Sequence, residues 1–290
     1  MDITQLRLEI DKVDQQLLAL FQQRMDISSQ IADCKKEQNI PVFDPARERQ
    51  KLLDVASKVE PQLENSAKVL YSLLFELSRN YQSAKNATQT PLFQCIATAI
   101  DNTPKLFPHQ AMIACYGSEN PRLQCAAERI IKSANLLYFS SADAVFSAIG
   151  QSMCHYGLLP LDSADIYDQL SAHQFYIVRS FQMQDENGNL TRFILFSKKL
   201  EIYPGADRTT LMMMLPNKPG SLYRVLARLY TLGLNIAKLD SRISPKDSFK
   251  MLFYFDLETS IYSQEFIHLM CQLDDLCEDF QYLGSYTEVV

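Results

Sequence analysis

The 290-residue sequence lacks the patterns that mark a metal site, a disulfide framework or a membrane protein. Its seven cysteines include no C-x-x-C pair, and its four histidines are scattered, so zinc-ligand spacing does not occur. No stretch reaches the roughly 18 apolar residues that a membrane span needs. Acidic residues interrupt the N-terminal segment where a signal peptide would lie. We therefore expect a cytoplasmic protein with reduced thiols and no bound metal.

The overall charge excludes some classes of partner. A net charge of −6 argues against nucleic acid or an anionic membrane as the main partner. A small anionic substrate stays open, because a local cluster of arginine and lysine can override the global sign. The composition, 47% hydrophobic and 21% charged, is typical of globular proteins, and the length allows two or three domains.

Residues 1–85 carry the pattern of a three-helix domain. Apolar residues recur at helical spacing from residue 3 to about 38, with Asp2 as the N-cap and Gln5 completing a capping box. A second helix is predicted to begin after Asp44, and a third to run from about residue 65 to 84. The first helix would be about 50 Å long. Because it is too long to bury its apolar face alone, the pattern predicts a dimer.

The rest of the chain changes character. Residues 86–106 are predicted to be a linker. Alternating strand and helix patterns over 107–201 predict an α/β domain. Residues 202–290 predict an α+β domain of order βαββα, or βαββαβ if a final strand follows.

Basic residues on the first helix suggest a site for a small anion. Arg24 and Lys35 are eleven residues apart, which is three turns plus about 20°, so they face the same way. Arg7 precedes Arg24 by seventeen residues, which places it about 25 Å away and about 100° around the helix. If both arginines serve one small ligand, Arg7 must therefore come from a second copy of the chain. Taken singly, such residues are more often solvated surface residues of a helical bundle.

The complete set of polar positions is more specific. Its members are Arg7, Asp14, Arg24, Lys35, the segment 41–49 with Asp44, Arg47 and Glu48, and the segment 76–82 with Ser78 and Gln82. This set resembles the all-helical chorismate mutases over residues 1 to about 85. The resemblance implies a cofactor-free pericyclic rearrangement of chorismate to prephenate in an intertwined homodimer or a larger homo-oligomer.

The resemblance also implies a role for each residue. Arg24 and the partner's Arg7 would hold the two substrate carboxylates. Arg47 would add positive charge, and Ser78 would assist at one carboxylate. Lys35 and Gln82 would donate to the ether oxygen of the breaking bond. Glu48 and the backbone at Asp44 would hold the substrate hydroxyl.

The middle region resembles prephenate dehydratase in the segments 113–117, 143–149, 156–160 and 191–193, but it is incomplete. Only about 95 residues are present, about half of the two-lobed family domain. The glycine-rich turn of the family is replaced by the segment 118–123, and its Glu-Asn-Ser signature by 162–164. Thr191 matches the catalytic threonine of the family. Without a facing lobe it has no closed site, so we interpret it as structural and expect dehydratase activity to be absent or very low.

The C-terminal region resembles the ACT domain that follows such dehydratases and binds phenylalanine. The matching segments are 217–222 and 234–243, with Asp240 in place of Glu and Ile243 in place of Pro. The resemblance implies L-phenylalanine as an effector, bound by Gly220, Ser221, Leu222, Asn235, Asp240, Ser241 and Arg242. A purely structural, dimerising module is the alternative.

Three hypotheses follow from these patterns. The first is a chorismate mutase of phenylalanine biosynthesis with a truncated dehydratase-like domain and a regulatory ACT domain. The second is a bifunctional enzyme that still makes phenylpyruvate from prephenate. The third is a phenylalanine sensor without catalytic activity.

Overall fold

The computed structural model describes residues 2–38, 40, 43–85, 90–119, 121–161, 164–184, 190–245, 247–277 and 279–289. The chain forms two compact units. Unit 1 contains Met1–Thr88 together with Leu226–Thr231, and unit 2 contains Gln89–Val225 and Leu232–Val290. Within the described residues, no helix is both long enough and apolar enough to cross a membrane.

Unit 1 is helical, as the sequence predicts. Its helices are α1 (Ile3–Glu37), α2 (Pro45–Ala56), a short 3-10 helix (Pro61–Leu63) and α3 (Glu64–Lys85). The predicted start of α2 is confirmed, because the Arg47 backbone N–H donates to Asp44 Oδ1 at 3.0 Å. The predicted capping box of α1 is wrong. The Asp2 side chain makes no capping bond, and the Gln5 backbone N–H donates instead to the Asp2 carbonyl oxygen at 3.0 Å.

The apolar face of α1 lies largely on the surface of the single chain. Only Ser28 and Ala32 of this helix are buried. Ile10, Val13 and Leu17 are 58% to 61% exposed. An exposed apolar stripe of this length is unusual in a monomer.

Unit 2 is built on a nine-stranded sheet in the order β2-β1-β3-β5-β4-β9-β6-β8-β7. Its strands are β1 (Gln110–Tyr116), β2 (Ser133–Phe139), β3 (Tyr156–Pro160), β4 (Tyr176–Gln184), β5 (Leu190–Ser197), β6 (Arg208–Pro216), β7 (Asn235–Ile243), β8 (Lys250–Glu258) and β9 (Asp279–Val289). The helices that follow α3 in the chain are α4 (Pro91–Asn102), α5 (Pro121–Ile130), α6 (Ala142–Gly150), α7 (Ala164–His173), α8 (Ser221–Thr231), α9 (Gln264–Met270) and α10 (Leu273–Leu276). The second half of α8 belongs to unit 1.

The predicted α/β and α+β regions share one sheet and contribute to one buried cluster. Strand β9 pairs in parallel with β4, with Ser180 opposite Glu288. Gly284 permits this approach, because a Cβ at that position would lie 2.3 Å from the Ile177 carbonyl oxygen. Phe146 and Tyr254, from the two regions, belong to the same buried cluster. The predicted domain boundaries stay predictions, and the one at residue 201 separates segments that pack together.

Several elements differ from the sequence expectation. Helix α4 lies inside the predicted linker, where Thr90 caps it by accepting from the Phe93 backbone N–H at 3.2 Å. Helix α7 was not predicted. The second helix of the predicted βαββα order is divided into two helices, α9 and α10. The final strand β9 is present, so the order βαββαβ is confirmed. The predicted motif residues Pro41, Val42, Asn120, Asp162 and Ser163 lie outside the described residues.

Candidate active site

A cleft of about 1120 Å³ lies among α1, α2 and α3 of unit 1. Seven of the eight positions predicted to form the site line it, namely Arg24, Lys35, Asp44, Arg47, Glu48, Ser78 and Gln82. The eighth, Arg7, lies near the start of α1 and does not line the cleft. The structure therefore brings together the predicted site residues except Arg7, whose distance from Arg24 along α1 would require a second chain if both bound one ligand.

Local structure explains why these side chains converge. The eleven-residue spacing on α1 places Arg24 and Lys35 on one face. The capped first turn of α2 fixes the backbone of Asp44 and its neighbours. Ser78 and Gln82 are four residues apart on α3 and share its cleft-facing side.

Arg24 is held in a defined orientation. Its Nη1 donates to the Leu74 carbonyl oxygen at 2.9 Å and also to Ser78 Oγ. Its guanidinium carbon lies 5.9 Å from the centre of the Phe75 ring. Burial lowers the pKa of Arg24 from its usual value, but a guanidinium stays protonated in proteins. The cleft therefore contains a fixed positive charge at this point.

Lys35 lies among charges of both signs. Burial is the main cause that lowers its pKa from the usual lysine value. Asp44 and Glu48 raise the pKa of Lys35, and Arg47 lowers it further. The ammonium group is thus a donor that releases its proton more readily than a solvated lysine does.

Gln82 places an amide in the wall of the cleft. The residue is 7% exposed. Its Oε1 atom is buried and has no hydrogen-bond partner among the described residues. Buried amide oxygens are normally satisfied, so this atom is suited to a donor from a bound molecule or a second chain.

Arg79 also lines the cleft, although the sequence pattern predicts no role for it. It bonds to Glu48 on α2 and to Glu76 on its own helix, and its guanidinium carbon lies 5.2 Å from the Phe43 ring centre. Two signals could have found it: the i,i+3 spacing of Glu76 and Arg79, and its place within the segment 76–82 that resembles the chorismate mutases. Its contact with Glu48 depends on the packing of α2 against α3, which the spacing does not show.

In unit 2, Arg192 of the segment that resembles the dehydratase motif belongs to a buried polar network. Thr191 lies half-buried on β5, opposite Met183 of β4. Arg192 pairs with Asp256 and, at 2.9 Å, with Glu288, and it donates to the Tyr286 hydroxyl at 3.1 Å. The cavity of about 670 Å³ beside β4 and β5 is lined by neighbouring residues but not by Thr191.

The Asp256 carboxylate is 1% exposed and is the centre of this network. It accepts hydrogen bonds from Thr210 at 2.6 Å and from the Tyr167 hydroxyl at 3.2 Å, in addition to the arginine. Arg192 therefore neutralises a buried carboxylate and connects β5 with the strands of the βαββαβ region.

The residues predicted to bind phenylalanine lie on two consecutive elements. Gly220 has φ +87° and precedes α8, which begins with Ser221 and Leu222. The other four lie on β7, namely Asn235, Asp240, Ser241 and Arg242. Three of these have protein partners. Asn235 donates to Glu258, Asp240 pairs with Lys238 at 2.9 Å, and Arg242 pairs with Asp165 and Asp168. Across the part of the chain that the structure describes, no hydrogen bond joins the two groups.

Comparison with known proteins identifies the helical unit. Residues 6–83 match the family model of chorismate mutase type II. This part of the chain is a chorismate mutase domain. Across its whole length the chain is 23% identical to the bifunctional chorismate mutase/prephenate dehydratase of Aquifex aeolicus, covering 99% of that protein. That alignment spans 360 positions against the 290 residues of this chain, so at least 70 of its positions have no counterpart here.

Solved structures resemble the α/β part of the chain. A prephenate dehydratase from Arthrobacter aurescens in complex with L-Phe covers 61% of this chain at a TM-score of 0.51, with 13% identity over 89% of its own length. GqqA, described as a novel type of quorum quenching acylase, covers 60% at a TM-score of 0.54, with 23% identity over 94% of its own length. At these identities the likeness shows the fold alone. The predicted resemblance to chorismate mutase/prephenate dehydratases is confirmed, and the region after the mutase domain has a dehydratase-like fold.

Proposed function

We propose that this protein is a chorismate mutase that converts chorismate to prephenate in phenylalanine biosynthesis. The observation that carries the proposal is the cleft of unit 1, where seven predicted site residues converge within a domain that matches the mutase family. Chorismate carries two carboxylates, and the cleft contains the cations Arg24, Lys35 and Arg47.

The geometry suits a reaction that needs no nucleophile and no cofactor. Holding the two ends of chorismate in the compact, reactive conformer lowers the entropic part of the barrier. Donors placed where negative charge grows on the ether oxygen stabilise the transition state. Lys35 and Gln82 are the donors in this scheme, Arg24 and Ser78 bind a carboxylate, and Glu48 accepts from the substrate hydroxyl.

We further propose that the active species is at least a homodimer, in which the partner's Arg7 completes each cleft. Two features support this. The helical spacing keeps Arg7 about 25 Å from Arg24 on one chain. The apolar face of α1, including Val13 and Leu17, is exposed in the single chain and would be covered by a second copy.

We propose that prephenate dehydratase activity is lost. Three observations support this. The middle region is shortened, and Thr191 does not line the neighbouring cavity. Arg192 is already paired with Asp256 and Glu288 in a buried network. The name of the Aquifex aeolicus relative favours the bifunctional alternative. Incubation of the purified protein with prephenate separates the two, because only the bifunctional enzyme forms phenylpyruvate.

The βαββαβ region is proposed to be an ACT domain that binds L-phenylalanine. Its support is the strand and helix order, the open position of Gly220 and the L-Phe complex of the Arthrobacter aurescens dehydratase. Titration calorimetry with L-phenylalanine tests it. Binding without chorismate turnover would favour the sensor hypothesis. The cytoplasmic location expected from the sequence stays a prediction.

The decisive experiment is chorismate disappearance with product identification on the full-length chain. We expect prephenate to accumulate without phenylpyruvate. Lys35→Ala should reduce kcat/KM by roughly two to three orders of magnitude, the usual cost of removing a donor to a developing oxyanion. Lys36→Ala is the matched control, since Lys36 is exposed and does not line the cleft. Equal turnover by both variants would show that the site is elsewhere.

A further inference from the structure

The carboxylate of Glu48 is held from the side of α3 by a buried arginine. Arg79 is 6% exposed and its Nη1 atom bonds to Glu48 Oε1. Its other terminal nitrogen, Nη2, bonds to Glu76 Oε1. The planar guanidinium of Arg79 therefore bridges two carboxylates and fixes the angle between them.

Helix α3 has a face that lines the cleft and an opposite face that points away from it. Glu76 and Asn80 are four residues apart and share one face. Ser78, which lines the cleft, is rotated by about 200° from Glu76 on the helix. Arg79 projects between these two faces, so it can reach from the cleft to the side chains on the far side of the helix.

The far face of α3 is covered within unit 1 by the second half of α8. Glu76 is 3% exposed and Arg228 is 1% exposed, and Arg228 Nη2 lies 3.6 Å from Glu76 Oε2. One turn along α3, the Asn80 side chain donates to Thr231 Oγ1. Two contacts at matching spacing, i,i+4 on α3 and i,i+3 on α8, set the register of the two helices.

These contacts form a series of ion pairs with alternating charge, from Glu48 through Arg79 and Glu76 to Arg228. We propose that Arg79 is a positioning residue that orients the Glu48 carboxylate for the substrate hydroxyl, and that Arg228 acts through Glu76 to hold Arg79 in place. The inference rests on the proposed mutase function, since Glu48 has this role only if chorismate is bound. It assigns to the mutase site a residue, Arg228, that lies about 140 positions beyond the end of α3 in the chain.

Because these four charged side chains are largely buried, the loss of any one of them affects the orientation of the others. A buried ion that loses its partner is strongly destabilised, so the remaining side chains rearrange to find new partners. Without Arg228, the Glu76 carboxylate would draw the guanidinium of Arg79 towards itself. Glu48 would then lose its fixed orientation while keeping its own charge.

The test is a double-mutant cycle between Arg228→Met and Glu48→Gln on the full-length protein. The hydroxyl contact is made in both the ground state and the transition state, so its loss raises KM more than it lowers kcat. We expect Arg228→Met to raise KM for chorismate about tenfold, the loss of one charge-assisted hydrogen bond. In the Glu48→Gln background, the same substitution should leave KM unchanged. Arg49→Met is the matched control, because Arg49 is an exposed arginine of α2 that does not line the cleft.

Each outcome bears on the proposal. An increase in KM of equal size in both backgrounds would mean that Arg228 acts only on the fold, and would overturn the inference alone. If Arg228→Met loses helical circular dichroism, Arg79→Lys replaces it in the same cycle, since lysine keeps the charge but cannot bridge two carboxylates. Arg79→Lys should raise KM only when Glu48 is present. A wild-type protein that does not turn over chorismate would refute the proposed function itself and, with it, this role for Arg79.

Discussion

Mixing two inactive variants tests whether the active site is shared between chains. Arg7→Ala and Arg24→Ala should each be nearly inactive, because each variant removes a carboxylate contact from every site of its own homodimer. In a heterodimer of the two variants, the two clefts are no longer equivalent. The cleft of the Arg7→Ala chain keeps its own Arg24 and receives an intact Arg7 from its partner. The cleft of the Arg24→Ala chain loses both arginines.

The expected magnitude follows from symmetry. In a two-fold dimer the two sites are equivalent, and random exchange of equal amounts makes half of the dimers mixed. One of the two sites in each mixed dimer is intact, so about a quarter of the wild-type turnover should return. The underlying distance is fixed by helix geometry, since about 25 Å of straight helix separates Arg7 from Arg24.

The assay unfolds the two variants together in denaturant, refolds them, and measures chorismate consumption against each variant refolded alone. The control mixes Arg24→Ala with Lys35→Ala. Both residues line the same cleft of one chain, so no mixed dimer contains an intact site and no activity should return. Recovery in the control, or none in the test pair when mixed dimers are demonstrated by mass spectrometry, would refute the shared site. Full activity of Arg7→Ala alone would refute it as well.

Three further predictions concern the proposed dimer interface on α1, the proposed donor Lys35 and the buried network around Arg192. Leu17→Glu, placed on the exposed face of α1, should give a monomer by analytical ultracentrifugation and abolish turnover. Because burial lowers the pKa of Lys35, raising the pH should deprotonate its ammonium before an ordinary lysine would titrate. The kcat/KM profile should therefore fall on its alkaline side, and a flat profile up to the usual lysine pKa would contradict this. Arg192→Met leaves the buried Asp256 carboxylate without its cation, which should cost roughly 3–5 kcal/mol of unfolding free energy in urea. Lys68→Met is its control, since the pair of Lys68 with Glu64 lies at the surface, outside this network, and should contribute about 1 kcal/mol or less.

Much of unit 1 could be predicted from the sequence because its determinants are local. Helical periodicity and the Asp44-Pro45 start define α1 and α2, and the spacing of Ser78 and Gln82 places them on one face. The cleft then follows from three helices packing together. Helix α4 was missed because the polar residues before Pro91 indicated a linker, although Thr90 in the same stretch is a good N-cap.

Contacts between residues far apart in the chain were not predictable in this way. No spacing rule connects Glu76 with Arg228, because their contact depends on α8 packing against α3. The parallel pairing of β4 with β9 is also non-local, and it depends on Gly284 at the point of closest approach. In both cases the residue type is visible in the sequence, but its partner is set by tertiary packing.

In the middle region, a segment that resembles a dehydratase motif has a structural role. Thr191 and Arg192 match a segment of the dehydratase family, and the match alone would suggest retained activity. In the structure, however, Arg192 contacts Asp256 on β8 and both Tyr286 and Glu288 on β9. Replacing Arg192 would leave the buried Asp256 carboxylate without its cation, which would destabilise the packing of β5, β8 and β9. The arginine is therefore required by the sheet whether or not a dehydratase site exists, so its presence in the sequence is no argument for dehydratase activity.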